Sequence, residues 1–279
     1  MKLIEHRICV PTHHTPVSLF PFACVHKDNE GHCPDKWRGF LKEVKETKYA
    51  VALGLGDYYD WLRTHAREFL KSYNQDKNSF NYLHNDRRKA ANDFAKELEP
   101  IADKLALLSL GNHHHEFGDG SNDVMEMCRA LNVPYGGKGG FLRLLIHRPD
   151  RPAHITLNIL YHHGEKIGGG ATLGGDINAM VKKAEGWDFD ILCVSHNHKK
   201  HGVPASIVGV PKRGEMQLVE KPKAFIRAGC FMRGYVKDCV TYAEEAGLMN
   251  PTAIGHVRLD INPKDGPRNQ LRYDFKVTF

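Results

Sequence analysis

The chain is 279 residues long, with a formal net charge of +6 from 39 Lys and Arg against 33 Asp and Glu. Its hydrophobic fraction of 41% and charged fraction of 26% are those of an ordinary globular protein, and the length suits one large α/β domain or two small ones. No apolar run approaches the ~18 residues a membrane helix needs, and the N-terminus lacks the apolar centre of a signal peptide; a cytoplasmic protein without membrane contact is expected. The seven cysteines form no Cys-x-x-Cys pair and no regular spacing, which argues for reduced thiols rather than a disulfide framework. The basic balance mildly favours anionic partners such as nucleotides or nucleic acid.

In chain order, residues 18–26 read as a first strand. Residues 36–48 form an amphipathic helix, since Trp37, Phe40, Leu41 and Val44 recur at helical spacing. A strand at 50–55 follows. Residues 61–104 are mostly helical, with a polar break near 74–78 and a basic segment at 85–91, and are expected to form a helical insert or cap. Next come a strand at 105–110, a helix at 122–131, strands at 141–147 and 154–161 around an Arg-Pro turn, a helix at 176–185 and a strand at 190–194. Beyond residue 202 the pattern becomes short strands and turns, alternating in the strand manner near 257–261 and at the C-terminus. With no internal repeat and no low-complexity linker, residues 1–279 are expected to be a single domain.

Four of the apolar runs lead into polar patches. Residues 50–55 precede Gly56-Asp57-Tyr58-Tyr59-Asp60, and 105–110 precede Gly111-Asn112-His113-His114. Residues 155–161 precede His162-His163-Gly164, and 190–194 precede Ser195-His196-Asn197-His198. Ligands gather beyond the carboxyl ends of strands in open α/β sheets, so these four strand ends read as one composite metal centre. Imidazole, carboxylate and amide donors together suit Mn, Fe or Zn better than a Ca or Mg cage. A pair of divalent ions about 3.5–4 Å apart is the usual phosphoryl-hydrolysing clamp, and Asp57 is the natural bridging anion.

The order Gly-Asp-x-x-Asp, Gly-Asn-His, His-Gly and His-x-His resembles the calcineurin-like metallophosphoesterase family across roughly residues 18–202. The stretch 225–235 also resembles the end of phage- and prophage-type members. The resemblance implies two packed mixed β-sheets flanked by helices, a four-layer αββα sandwich, with the metals at the sheet edge. It assigns Asp57, Asn112, His163 and His196 to one metal and His26, Asp57 and His198 to the other. His163 is preferred to His162 because the family ligand directly precedes the glycine. His113 then faces the leaving group, where a departing alkoxide wants a proton donor titrating near neutrality.

Two positions depart from the family pattern. Cys24 stands where the family places an aspartate ligand, in Phe22-Ala23-Cys24-Val25-His26. Strand periodicity puts Cys24 and His26 on one face, and a thiolate there biases the position toward Zn or Fe; in the other reading Cys24 does not bind. After His113, where an acidic residue is usual, stands His114, which leaves the orienting partner of His113 open. Asp60 is expected to orient a histidine ligand rather than to bind metal. Lys199, Lys200 and Arg63 are weaker candidates for contacting phosphate, and the glycine-rich stretch 164–172 offers backbone N–H groups.

The expected function is metal-dependent hydrolysis of a phosphate ester, favouring a phosphodiester in a nucleotide or nucleic acid, with a hydroxide held between two divalent metals attacking phosphorus in line. Asp57, Asn112 and His113 are the catalytic candidates. Two alternatives stand beside it: a phosphomonoesterase acting on proteins or nucleotides, and a catalytically impaired metal- or nucleic-acid-binding protein.

Overall fold

The computed structural model describes residues 1–61, 77–150, 155–168, 173–210, 216–245, 250–265 and 271–279. Two mixed sheets stack face to face. The five-stranded sheet has the order β11-β10-β2-β3-β4, where β2 is Val17–Phe22, β3 Ala50–Gly54, β4 Leu105–Leu108, β10 Arg258–Asp265 and β11 Leu271–Thr278. Its strands β2, β3 and β4 run parallel, and β10 and β11 add antiparallel. The six-stranded sheet has the order β1-β5-β6-β7-β9-β8, from β1 (Lys2–Cys9), β5 (Gly139–His147), β6 (Ile155–His162), β7 (Ile191–Val194), β8 (Lys200–Gly209) and β9 (Val219–Ala228). Here β6, β7 and β9 are parallel.

Strand periodicity divides the apolar residues among three cores. Val17, Leu19, Val51 and Leu53 of the first sheet meet Leu142, Leu157, Ile159 and Ile191 of the second in the central layer. The alternate residues Phe20, Phe22, Ala50 and Ala52 face outward, under helices α1 (Pro34–Glu46), α2 (Lys77–Leu98) and α3 (Asp123–Leu131). Leu160, Leu192, Val194 and Phe225 of the second sheet take Met180 and Ala184 of α4 (Leu173–Ala184). The result is the expected helix–sheet–sheet–helix layering, and it explains why β2 to β4 read as unbroken apolar runs: both faces are covered. No described helix is long and apolar enough to cross a membrane.

Local chemistry accounts for the element ends. Pro34 opens α1, where a missing N–H costs nothing, and Trp37, Phe40 and Val44 bury its inner stripe. Trp37 stacks on Phe94 of α2 at 5.6 Å between centroids. Asn122 caps α3 by accepting from the Met125 N–H at 2.9 Å, and Asn132 ends it in the left-handed conformation. Pro21 sits within the central strand β2, yet β10 pairs only with residues 17–19, so no ladder bond is lost there.

Two expectations change, and one strand is new. The first strand stops at Phe22, and residues 23–26 continue as irregular chain. The N-terminal strand β1, unread in the sequence, is an edge strand with only half-buried side chains at alternate positions. Beyond residue 202 there are long strands rather than short ones: β8 and β9 form a ten-residue antiparallel ladder. The exposure of β8, and Pro204 within it, hid its period. Of the expected insert, α2 is followed by a 3-10 turn (Glu99–Lys104), and residues 62–76 lie outside the described residues.

Candidate metal centre

The carboxyl ends of β2, β3, β4, β6 and β7 converge at one edge of the sandwich. Backbone bonds carry the first sheet's order past the strand ends: the Cys24 N–H donates to the Gly56 carbonyl at 3.0 Å and the Val25 N–H to Asp57 at 2.8 Å. Gly56 has φ +98, and a Cβ there would meet the Gly111 backbone. The loops after β3 and β4 therefore touch where both residues lack side chains.

Eight non-glycine residues have positive φ among those described, and five of them are Cys24, His26, Asp57, His196 and His198. Left-handed backbone costs an ordinary residue on the order of 1 kcal/mol or more. Its concentration at these five side chains marks a place where the chain is bent to aim donors inward. Cys24 and His26 thus come together through the loop, not through the strand pleat that the sequence implied.

The donors fall into two adjoining groups. In the first, His163 is buried, and its Nδ1 lies 2.6 Å from the Leu55 carbonyl. That bond fixes Nδ1 as the protonated nitrogen. Nε2 then faces Asp57 Oδ2 at 2.8 Å and Asn112 Oδ1 at 3.0 Å. His196 Nδ1 adds a contact of 2.9 Å to the same Asn112 oxygen. In the second group, ligand atoms of Cys24, His26 and His198 lie within 4.8 Å of one another, and those of Cys24, Asp57 and His163 satisfy the same limit. Cys24 therefore lies between the groups. His26 is 2% exposed, and its Nε2 has no hydrogen-bond partner among the described residues. A buried imidazole nitrogen without a partner costs free energy, and a metal ion would satisfy it. The donor set, the spacing and this orphaned nitrogen fit divalent metal binding.

Electrostatics follow the crowding. Burial opposes ionisation of Asp57, but His163, His26 and His113 outweigh it and hold the carboxyl well below the usual range. Burial acts to lower the His163 pKa, and Asp57 reverses that and raises it. Burial, with His26 beside it, pushes His198 down to about 3, so its ring is neutral, as a metal ligand must be.

Asp60 sits behind the cluster. Its Oδ1 lies 3.0 Å from His113 Nδ1 and 3.2 Å from His26 Nδ1, and Asn29 Nδ2 donates to Oδ2 at 2.8 Å. The His113 N–H also donates to Asp57 Oδ1 at 2.9 Å. The carboxylate partner of His113 therefore comes from position 60, and His114 instead bonds the Gly111 carbonyl at 2.9 Å. Tyr59 and Trp61 hold Asp60 in place by stacking at 4.2 Å; the Tyr59 hydroxyl donates to the Ala90 carbonyl and the Trp61 indole to Asp123.

His162 stays out of the cluster, its Nδ1 accepting from the Gly164 N–H at 2.8 Å. The Lys199 N–H donates to Asn197 Oδ1 at 3.2 Å, and the Lys200 ammonium lies 5.9 Å from the Phe279 ring centroid. Arg63 lies outside the described residues. Arg88, in the basic segment of the expected insert, is held by Asp119 and Glu126 at 2.6 and 2.9 Å.

Sequence reasoning passed over one pair. Arg227 of β9 and Asp176 of α4 are both fully buried, 2.7 Å apart. Arg227 Nη1 donates to the Ser195 carbonyl at 2.5 Å and Nη2 to the Ile167 carbonyl at 3.0 Å, while Asn197 Nδ2 donates to Asp176 Oδ1 at 2.5 Å. This ion pair ties the loop holding His196 and His198 to the one after His163. Only the charged residues' positions in otherwise apolar elements hint at it in the sequence.

No protein-family model matches the chain, and no curated protein matches it in sequence. Among solved structures it is similar to Vps29 of Chaetomium thermophilum, at 12% identity over 94% of this chain and 95% of that one, with a TM-score of 0.37. It is similar to Zn-complexed Vps29 of Entamoeba histolytica, at 10% identity over 94% and 99%, with a TM-score of 0.41. A protein of Streptococcus pneumoniae described as a predicted phosphoesterase gives 11% identity over 94% and 99%, with a TM-score of 0.33. With every one of these scores below 0.5, what the centre can do follows from its own side chains.

Gly111→Ala is expected to damage the centre without touching a donor, because the new Cβ would overlap the Asp57 carboxylate. We expect about 1–3 kcal/mol of destabilisation, the usual range for overpacking, and Zn²⁺ affinity lower by at least ~10-fold. Chemical denaturation and chelator competition measure the two.

Proposed function

We propose that this chain is a metal-dependent phosphoesterase of the calcineurin-like type, acting on a phosphodiester in a nucleotide or nucleic acid. The observation that carries this reading is the convergence of Asp57, Asn112, His163 and His196 beside Cys24, His26 and His198, with His113 held at the rim by Asp60. Asp57, Asn112, His163 and His196 would hold one divalent ion, and Cys24, His26 and His198 would hold the other. When bound, the metals supply a water nucleophile active at neutral pH and neutralise charge developing on the phosphoryl oxygens.

The protein's own groups do the rest. His163 is locked in one tautomer by Leu55, which fixes the direction of its donor lone pair. Asp60 accepts from His113 Nδ1 and stabilises the imidazolium, which leaves Nε2–H as the proton donor to the leaving oxygen. The net charge of +6 favours an anionic substrate. The Asp60–His113 contact weighs against the impaired-binding alternative, because the partner that position 114 does not supply comes from elsewhere in the chain.

The test is hydrolysis of an aryl phosphodiester and its monoester with Mn²⁺ or Zn²⁺, in wild type and His113→Ala. We expect turnover of the diester above the monoester, and a fall in kcat of about 10²–10⁴-fold in the variant with bound metal unchanged. Monoester preference would select the phosphatase reading. Absence of turnover on both, in protein that binds two metals, would sink the proposal.

A further inference from the structure

Cys24 is one of five buried thiols, three of which show the ordinary surroundings of such a group. Cys128 Sγ lies 3.9 Å from the Leu108 carbonyl and 3.7 Å from that of Pro134, and Cys230 Sγ lies 3.4 Å from the Met232 carbonyl. Cys193 is packed in the central apolar layer. These are small hydrophobes with weak S–H donors. Cys24 is packed in the same layer and has the His196 backbone and the Ser195 side chain as hydrogen-bond partners. It differs in its other neighbours: its sulfur lies within 4.8 Å of ligand atoms of His26 and His198, and likewise of Asp57 and His163.

Its backbone is held from both sides. The N–H donates to Gly56 at 3.0 Å, and the carbonyl accepts from the Phe231 N–H at 3.0 Å. Its φ of +50 would suit glycine, so the side chain is kept there against a conformational cost. The second, independent observation is His26, 2% exposed, with an Nε2 that no protein group satisfies among the described residues. An apolar filler at position 24 would leave that nitrogen unexplained; a metal ligated by both explains the pair.

We propose that Cys24 is a thiolate ligand, and that it makes the Cys24–His26–His198 position selective for thiophilic divalent ions, Zn²⁺, Co²⁺ or Fe²⁺, over Mn²⁺ and Mg²⁺. This rests on the metal-centre reading above and deepens it. Binding releases the thiol proton to solvent, and the S–metal bond that forms has more covalent character than a carboxylate contact. One position of the centre is thereby committed to thiophilic ions, while the Asp57–Asn112–His163–His196 position, built from oxygen and nitrogen donors, carries no such preference.

The experiment is titration of the metal-stripped full chain with Co²⁺, read as thiolate-to-cobalt charge transfer in the near ultraviolet, in wild type, Cys24→Ser and Cys24→Asp. Thermal unfolding of each variant confirms that it is folded. We expect the band to grow to saturation in wild type, to disappear on addition of Zn²⁺, and to be absent from both variants. Competition should show Zn²⁺ favoured over Mn²⁺ on the order of 100-fold more in wild type than in Cys24→Asp. Cobalt binding without the band, or the same band in folded Cys24→Ser, overturns Cys24 ligation and leaves the phosphoesterase reading standing. Failure of wild type to bind either ion overturns both.

Discussion

Asp57→Asn is expected to reduce hydrolysis by at least ~10³-fold, about 4 kcal/mol of transition-state stabilisation. The substitution keeps the shape of the side chain but removes its charge, and Asp57 supplies the only carboxylate in the candidate ligand groups among the described residues. Asp57 Oδ2 lies 2.8 Å from His163 Nε2, and Oδ1 accepts from the His113 N–H at 2.9 Å. A neutral amide accepts that N–H equally well, so the local fold should survive. The bridging role expected of Asp57 should not, because an amide oxygen offers a partial charge where a carboxylate offers a full one. Elemental analysis should find fewer metal ions per chain, and the loss should appear in kcat more than in KM. A variant that keeps both metals and wild-type turnover would show that Asp57 is a turn residue only.

Arg227→Met is expected to cost about 3–5 kcal/mol of stability, the range for removing one partner of a fully buried ion pair. All the interactions that the guanidinium makes are interior: Asp176 at 2.7 Å, the Ser195 carbonyl at 2.5 Å and the Ile167 carbonyl at 3.0 Å. Methionine fills much of the volume but leaves the Asp176 carboxylate buried and facing no cation of comparable strength; His201 is the nearest other basic group, at 3.5 Å. The double variant Asp176→Leu with Arg227→Met removes both charges and should recover most of the lost stability, because desolvation of the pair disappears with it. Urea midpoints of wild type, single and double variants measure this cycle. Metal affinity should stay impaired in the double variant, since the Ser195–His198 loop has lost its anchor. If the double variant is as unstable as the single, the pair is not what carries the stability.

Much of this molecule is legible in the chain. Helix α1 shows itself through Trp37, Phe40 and Val44 at helical spacing, and β3 and β4 through short apolar runs ended by glycine and a polar residue. The residues that meet at the sheet edge are also legible, because each follows such a run: Asp57 after β3, Asn112 after β4, His163 after β6 and His196 after β7. Other features are not. Among the described residues strand β1 pairs only with β5, and it leaves one face exposed and the other half-buried, so no strong period marks it. Strands β8 and β9 pair across ten residues, but their outer half is solvent-exposed and its composition is that of a loop.

The identity and order of the donors are properties of the sequence, since residue type and position after an apolar run are local matters. How those donors face one another is not local. The left-handed bend that aims Cys24 and His26 depends on backbone bonds to Gly56, Asp57 and Phe231, far away in the chain. The carboxylate behind His113 comes from Asp60, 53 positions upstream, rather than from its neighbour. The buried Arg227–Asp176 pair joins β9 to α4 across the second sheet's outer face. Each of these depends on two segments meeting in space. The sequence by itself determines which chemistry is available and roughly where strands end; only the tertiary structure decides which donors face one another, which carboxylate stands behind His113, and what holds them there.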